Sequence, residues 1–143
     1  MKELTLFEKI INGEIPCTKI YEDEHTFSFL DISPINKGHT LVIPKKPFPN
    51  IFMLPDKELT ALFLTVQKVS QAVMKATGAT GINIGMNNGA AAGQVIFHAH
   101  VHIIPRFSND GLEAWPGQRY NSGEIEQFGE QIRKALGKES LKK

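Results

Sequence analysis

Cysteine is nearly absent: Cys17 is the single copy in 143 residues. A lone cysteine forms no disulfide within the chain and no cysteine-pair zinc site. It reads as a small apolar filler. An excess of one charge is also missing. Sixteen Lys and Arg stand against fifteen Asp and Glu, a formal net charge of +1. That balance argues against a broad cationic face for nucleic acid and leaves room for a local anion site. Long apolar runs are lacking too. Nothing nears the roughly 20 residues of a spanning helix, and the opening MKELTLFEKI carries Lys2, Glu3, Glu8 and Lys9 where a signal peptide would be apolar. There is no repeat and no low-complexity tract. The expectation is a cytoplasmic protein whose partners include neither nucleic acid nor membrane.

What is present suits one domain, 1–143, with 41% hydrophobic and 22% charged residues. Thr5-Leu6-Phe7-Glu8 fits a capping box, opening a short helix to about residue 12 that Gly13 ends. Leu4, Phe7, Ile10 and Ile11 would be its apolar stripe. Residues 19–22 and 25–30 read as a strand pair and 40–44 as a third strand. A long helix is predicted over 55–77, with Leu59, Leu62, Phe63, Val66, Val69, Val73 and Met74 at helical spacing and Gly78 as its stop. Residues 81–87 alternate, with Ile82, Ile84 and Met86 on one face. The loop 88–93 is made of small residues, and 95–104 reads as the strongest strand. A final helix is predicted over 123–136 with Ile125, Phe128, Ile132 and Leu136 inward. Hairpin-like connections make this an α+β fold with a mainly antiparallel sheet.

Three of the five histidines fall in FHAHVHIIPR, at His98, His100 and His102. On a strand, alternate side chains share a face, which puts the histidines on one side and Phe97, Ala99, Val101 and Ile103 on the core side. A structural strand has no need of three groups that titrate near neutrality. Two chemistries compete. Metal binding is one, but three such histidines span about 13 Å along a strand, whereas Zn–N bonds are only about 2.0–2.1 Å, and no cysteine pair or carboxylate cluster adjoins them. Anion chemistry is the other: neutral imidazole is a nucleophile, and protonated imidazole donates hydrogen bonds to phosphate oxygens. Gly89 and Gly93 would let the preceding loop turn its amides toward an anion, and Gln94 adds a side-chain donor.

The run His98-Ala99-His100-Val101-His102-Ile103-Ile104, with NGEIP, FLDISPINKGHTLVIPKK and GINIGMNNGAAAGQVIFHAHVHIIPR, resembles the histidine-triad (HIT) nucleotide-binding family, in its bacterial form. The resemblance covers about residues 5–107 as the core, leaving a C-terminal loop and helix over 108–137, where Trp115 also resembles bacterial members. It implies a five-stranded antiparallel sheet with helices, dimerising into a ten-stranded sheet. It implies a hydrolase or nucleotidyl transferase acting at the α-phosphate of purine nucleoside 5′-phosphoramidates, as an adenosine 5′-monophosphoramidase does, or of dinucleoside polyphosphates. His100 would be the nucleophile. His102 and Gln94 would hold phosphate oxygens, with Gly93 and Val95 beside them, and Asn87 would help place the phosphate or leaving group. His98 and His39 would orient the site, a carbonyl near His98 fixing the His100 tautomer. Asp31 would bind the ribose hydroxyls, and Phe7, Ile10, Phe29 and Ile32 would line a base pocket. The four apolar residues also read as plain core, Asp31 and Asn87 as turn residues, and His39 as a satisfied buried histidine.

Two departures from the family pattern stand out. Many relatives carry Ser or Thr where this chain has Val95, which keeps only its backbone N–H. A zinc-binding subset has Cys-x-x-Cys, a later histidine and the first triad histidine as ligands; here those places hold Thr5, Glu8, Pro47 and His98. No metal and no cofactor is expected. The alternative to an enzyme is a nucleotide-binding interaction protein whose hydrolysis is slow and incidental.

Overall fold

A computed structural model describes residues 3–137, so the outer ends of the expected 1–143 domain lie outside the described residues. Up to Asp110 the chain forms one compact unit, and from Gly111 it forms a second. The first unit opens with helix α1 (Leu6–Ile11), started by a complete capping box. The Thr5 hydroxyl accepts the Glu8 N–H at 3.0 Å, and the Glu8 carboxylate accepts the Thr5 N–H at 2.9 Å. Strands β1 (Lys19–Glu22), β2 (Thr26–Leu30), β3 (Thr40–Pro44), β4 (Gly81–Gly85) and β5 (Val101–Arg106) make one sheet in the order β1-β2-β3-β5-β4. Each neighbouring pair is antiparallel. Helix α2 (Asp56–Thr77) ends at Gly78, whose φ of 74° is the left-handed cap that glycine adopts without strain. The α+β architecture is the one expected.

The strands β2 and β3 are buried on both faces, and alternation decides what each face holds. Val42, Val101 and Ile103 pack with Leu62, Val66, Val69 and Val73 of α2. Thr26 points the same way and hydrogen-bonds Thr65 of α2 at 2.8 Å. On the opposite face, Phe27, Phe29, Leu41 and Ile43 cluster with Phe7 of α1. His102 is registered against Leu41, which places it on this second face. The apolar stripes are wider than the surface that covers them: Phe63 and Met74 of α2, Leu4 ahead of α1 and Ile84 of β4 are exposed.

The largest correction concerns the histidine strand. β5 begins at Val101, so residues 95–100 lie outside the sheet. Their backbone groups are engaged elsewhere. The Ala99 N–H donates to the Phe48 carbonyl at 2.7 Å, and the His98 carbonyl accepts a side-chain hydrogen bond. Without a ladder, strict alternation fails at its start: Ala99, Val101 and Ile103 are core, but Phe97 is 51% exposed. In the second unit, helix α3 (Glu124–Leu136) forms as predicted. Its stripe of Ile125, Phe128, Ile132 and Leu136, expected inward, is exposed. Periodicity reports an amphipathic face and not what covers it.

Gly38 leads into β3 and the site. Its φ is +101°, and a Cβ there would stand 2.8 Å from Cγ2 of Thr77. Gly38→Ala should therefore lower the unfolding free energy by about 1–3 kcal/mol. Urea denaturation measures this, and a loss under about 0.5 kcal/mol, the size of an ordinary surface change, would show that the position is unstrained.

Candidate active site

Each of four imidazoles on the second face of the sheet has its protonation pattern fixed by its neighbours. The His98 ring is fully buried. One nitrogen, Nε2, meets the Pro44 carbonyl at 2.8 Å, and a carbonyl only accepts, so Nε2 carries the proton. Nδ1 is then a lone pair, and it takes the proton of the Thr5 hydroxyl at 2.8 Å. In His100, Nδ1 lies 2.8 Å from the His98 carbonyl. Nδ1 therefore bears the hydrogen, and Nε2 presents an unprotonated lone pair.

His39 and His102 form a second chain of opposite sense. The Ile35 N–H donates to His39 Nδ1 at 3.1 Å, so the His39 proton sits on Nε2. That nitrogen is 2.9 Å from His102 Nδ1 and donates to it. His102 consequently holds its own proton on Nε2. The rings of His100 and His102 are 5.1 Å apart, centroid to centroid. Neighbouring imidazoles thus offer complementary groups, a lone pair on one and an N–H on the other.

Burial keeps all four neutral. It pushes the pKa of His98 and of His100 below the ordinary imidazole value, against the hydrogen bonds to the Pro44 and His98 carbonyls. His39 is lowered by burial too, with the Asp31 carboxylate opposing. His102 goes furthest, to about 4, because burial is joined by repulsion from His100 and His39. A neutral His100 is what a nucleophile requires.

The other expected residues divide. Asp31 serves as a turn residue, accepting the Ser33 N–H at 2.8 Å on Oδ1, while Oδ2 stands 3.7 Å from His39 Nε2. Phe7 and Phe29 are buried and meet edge to face, their ring centroids 5.6 Å apart. They are core, and Phe7 backs the rings of His98 and His100. Ile10 packs on the same cluster, whereas Ile32 is 94% exposed. The small-residue loop closes on itself, contrary to the expected inward amides: the N–H groups of Ala92, Gly93 and Gln94 donate to carbonyls of Gly89 and Ala90. Gln94 is likewise no free donor. Its buried amide donates to the Pro49 and Ile96 carbonyls and accepts the Gly89 N–H. Asn87 lies against Gly93, where an added Cβ would come within 3.3 Å of its Nδ2. Val95 is exposed.

Among the described residues, Asp31, His39 and His102 bring one potential ligand atom each within 4.8 Å of one another. The two imidazole nitrogens are already each other's hydrogen-bond partners, and a cation there would have to break that bond. The contacts with Thr5, Pro44 and Ile35 escaped sequence reading. The capping box gave a signal for Thr5, but nothing local showed that its hydroxyl reaches a residue 93 positions away.

Three alternating histidines that lead into the strand β5 of an antiparallel sheet, beside a fourth and all held neutral, define a histidine-triad architecture. Comparison with known proteins agrees. The HIT domain family model matches residues 12–109, and the chain belongs to the HIT family. It is 44% identical over 127 residues to adenylylsulfatase HINT3 of Arabidopsis thaliana, which covers 89% of this chain and 64% of that protein; the chain thus spans under two thirds of that relative. It is 39% identical to the adenosine 5′-monophosphoramidase hnt1 of Schizosaccharomyces pombe, over 89% of this chain and 94% of the other. A solved Streptococcus mutans structure superposes with a TM-score of 0.88 at 42% identity, covering 95% of this chain and 87% of that one.

Buried neutral histidines also set a pH dependence. Their folded pKa lies below the value near 6.5 of an unfolded chain. The unfolded state therefore binds more protons, and the stability present above that value is lost as pH falls through the window toward the folded pKa, about 4 for His102. Urea unfolding should show a loss of about 1–2 kcal/mol from His102 alone between roughly pH 7 and pH 5. Stability unchanged or rising over that interval would mean that these imidazoles are not held neutral.

Proposed function

We propose that this protein is a nucleotide hydrolase or nucleotidyl transferase that works at the α-phosphate through a nucleotidyl-histidine on His100. The observation that carries the reading is the opposed proton placement in neighbouring rings, with a lone pair at His100 Nε2 and an N–H at His102 Nε2. The His100 lone pair forms the N–P bond as the bond from phosphorus to the leaving group breaks and its electron pair departs. The imidazole becomes cationic, and its Nδ1–H, already on the His98 carbonyl, is strengthened as a charge-assisted hydrogen bond. The His102 N–H meets the negative charge that grows on a phosphate oxygen. Water then attacks phosphorus, the N–P pair returns to Nε2, and a proton passes to solvent.

The names of the relatives support an adenylyl group joined to a leaving group. One is an adenylylsulfatase and another an adenosine 5′-monophosphoramidase. We place purine nucleoside 5′-phosphoramidates and related activated nucleotides, dinucleoside polyphosphates among them, as the substrate class. Asp31 accepts from ribose hydroxyls through the carboxylate edge not held by Ser33, and the exposed Ile32 covers the base. Phe7, Phe29 and Ile10 act from behind, as core under the site. Gly93, Gln94 and Asn87 hold the shape of the loop that leads to the triad, and Val95 offers its backbone N–H alone. The working unit is a homodimer in which the sheet continues across a two-fold axis. Its strands β1 and β4 are edges, and an edge left open is a liability. Among the described residues no helix is long and apolar enough to cross a membrane, and the cytoplasm is the proposed location.

Steady-state assays with adenosine 5′-phosphoramidate and adenylyl sulfate test the reading. His100→Ala should retain fold and AMP affinity and lose at least about 10³-fold in kcat. Wild-type turnover should be the same with and without EDTA, since His39 and His102 are hydrogen-bonded to each other. Turnover within tenfold of wild type in His100→Ala would refute the covalent route.

A further inference from the structure

We propose that Thr5, at the start of α1, is a positioning residue for His100 and acts through His98. The inference rests on His100 being the nucleophile. Thr5 Oγ1 has one proton. It accepts the Glu8 N–H to cap the helix, so its own proton goes to His98 Nδ1, 2.8 Å away. His98 Nε2–H goes to the Pro44 carbonyl at 2.8 Å. The buried ring is therefore clamped at both nitrogens, between the first turn of α1 and the end of β3. Its backbone carbonyl is the acceptor that sets the His100 tautomer.

The clamp matters because the sheet does not do this work. Residues 94–100 precede β5 and belong to no ladder. The carbonyl of His98 is held by the Ala99 N–H bond to Phe48 on one side and by its own side chain on the other. Phe7, two residues beyond Thr5, packs edge-on against the rings of His98 and His100 at 5.6 and 5.1 Å. Helix α1 thus reaches the nucleophile by two routes, one polar and one apolar. Without the hydroxyl, Nδ1 of His98 is a buried acceptor with no donor. The ring is then anchored at Nε2 alone and can turn, and the carbonyl that orders His100 moves with it.

Three variants separate this role from helix capping. Thr5→Val keeps the branched shape and removes the hydroxyl. Thr5→Ser restores it. Glu8→Ala removes the other half of the capping box and leaves the Thr5–His98 bond intact. With adenosine 5′-phosphoramidate as probe, kcat of Thr5→Val should fall about 10–100-fold, the scale of a small misplacement at a reacting group. Its KM should stay within about threefold. Thr5→Ser should recover kcat to within about threefold. Glu8→Ala should lower Tm by a few degrees, as a lost cap does, with kcat near wild type. Imidazole ¹⁵N spectra give a readout free of catalysis: Thr5→Val should shift the His98 Nδ1 resonance as it loses its donor, and shift His100 with it. A Thr5→Val enzyme with wild-type kcat, or with an unaltered His100 spectrum, would overturn the inference while leaving the nucleophile in place. His100→Ala is run beside them; if it still turns over, the nucleophile assignment falls and this inference with it.

Discussion

The hydrogen bond from His100 Nδ1 to the His98 carbonyl is the contact on which the rest of the site depends. A free imidazole exchanges its proton between two nitrogens, and only one arrangement leaves Nε2 able to attack. A carbonyl cannot donate, so its presence at 2.8 Å selects that arrangement. The selection works only if the carbonyl is itself fixed and the ring is neutral. Much of the surrounding structure serves those two conditions. The clamp on His98, the anchoring of Ala99 to Phe48 and the packing of Phe7 answer the first. The burial that lowers the His100 pKa answers the second.

The same logic run in reverse sets up His102. A backbone N–H from Ile35 forces the proton of His39 to the far nitrogen, and His39 passes the constraint on to His102. Two chains of hydrogen bonds therefore end in opposite polarities. One begins at a hydroxyl and leads through a backbone carbonyl to a lone pair; the other begins at a backbone amide and ends in an N–H. The arrangement is stored in neutral dipoles, which in the proposed reaction would stabilise developing charge without reorganising. It uses little of the chain's charge balance, in keeping with the small net charge.

Much of this was legible in the sequence, and the misses have physical causes. Helix α2 and strands β1 to β4 are set by local periodicity, turn residues and a glycine stop, and these survive into the structure almost unchanged. The HIT signature is a short-range pattern as well. What sequence could not show is where long-range partners fall. The residues ahead of β5 look like strand because they alternate, yet their backbone bonds go to Phe48 and to a side chain. Gln94 looks like a phosphate donor, but its amide knits the loop together. Thr5 looks like a cap and is one, while its proton goes to His98. In α3, the apolar face at Phe128 and Ile132 is plain in the sequence, but periodicity does not say what covers it.

The central claim, a covalent nucleotide on His100, has a direct stereochemical test. Each in-line displacement inverts phosphorus, so attack by His100 followed by attack by water inverts it twice. A substrate with a single configuration at an α-phosphorothioate, hydrolysed in ¹⁸O-labelled water, reports the sum. The account predicts net retention of configuration at phosphorus. Net inversion would show that water displaces the leaving group in one step, and the two-step route through His100 would be wrong.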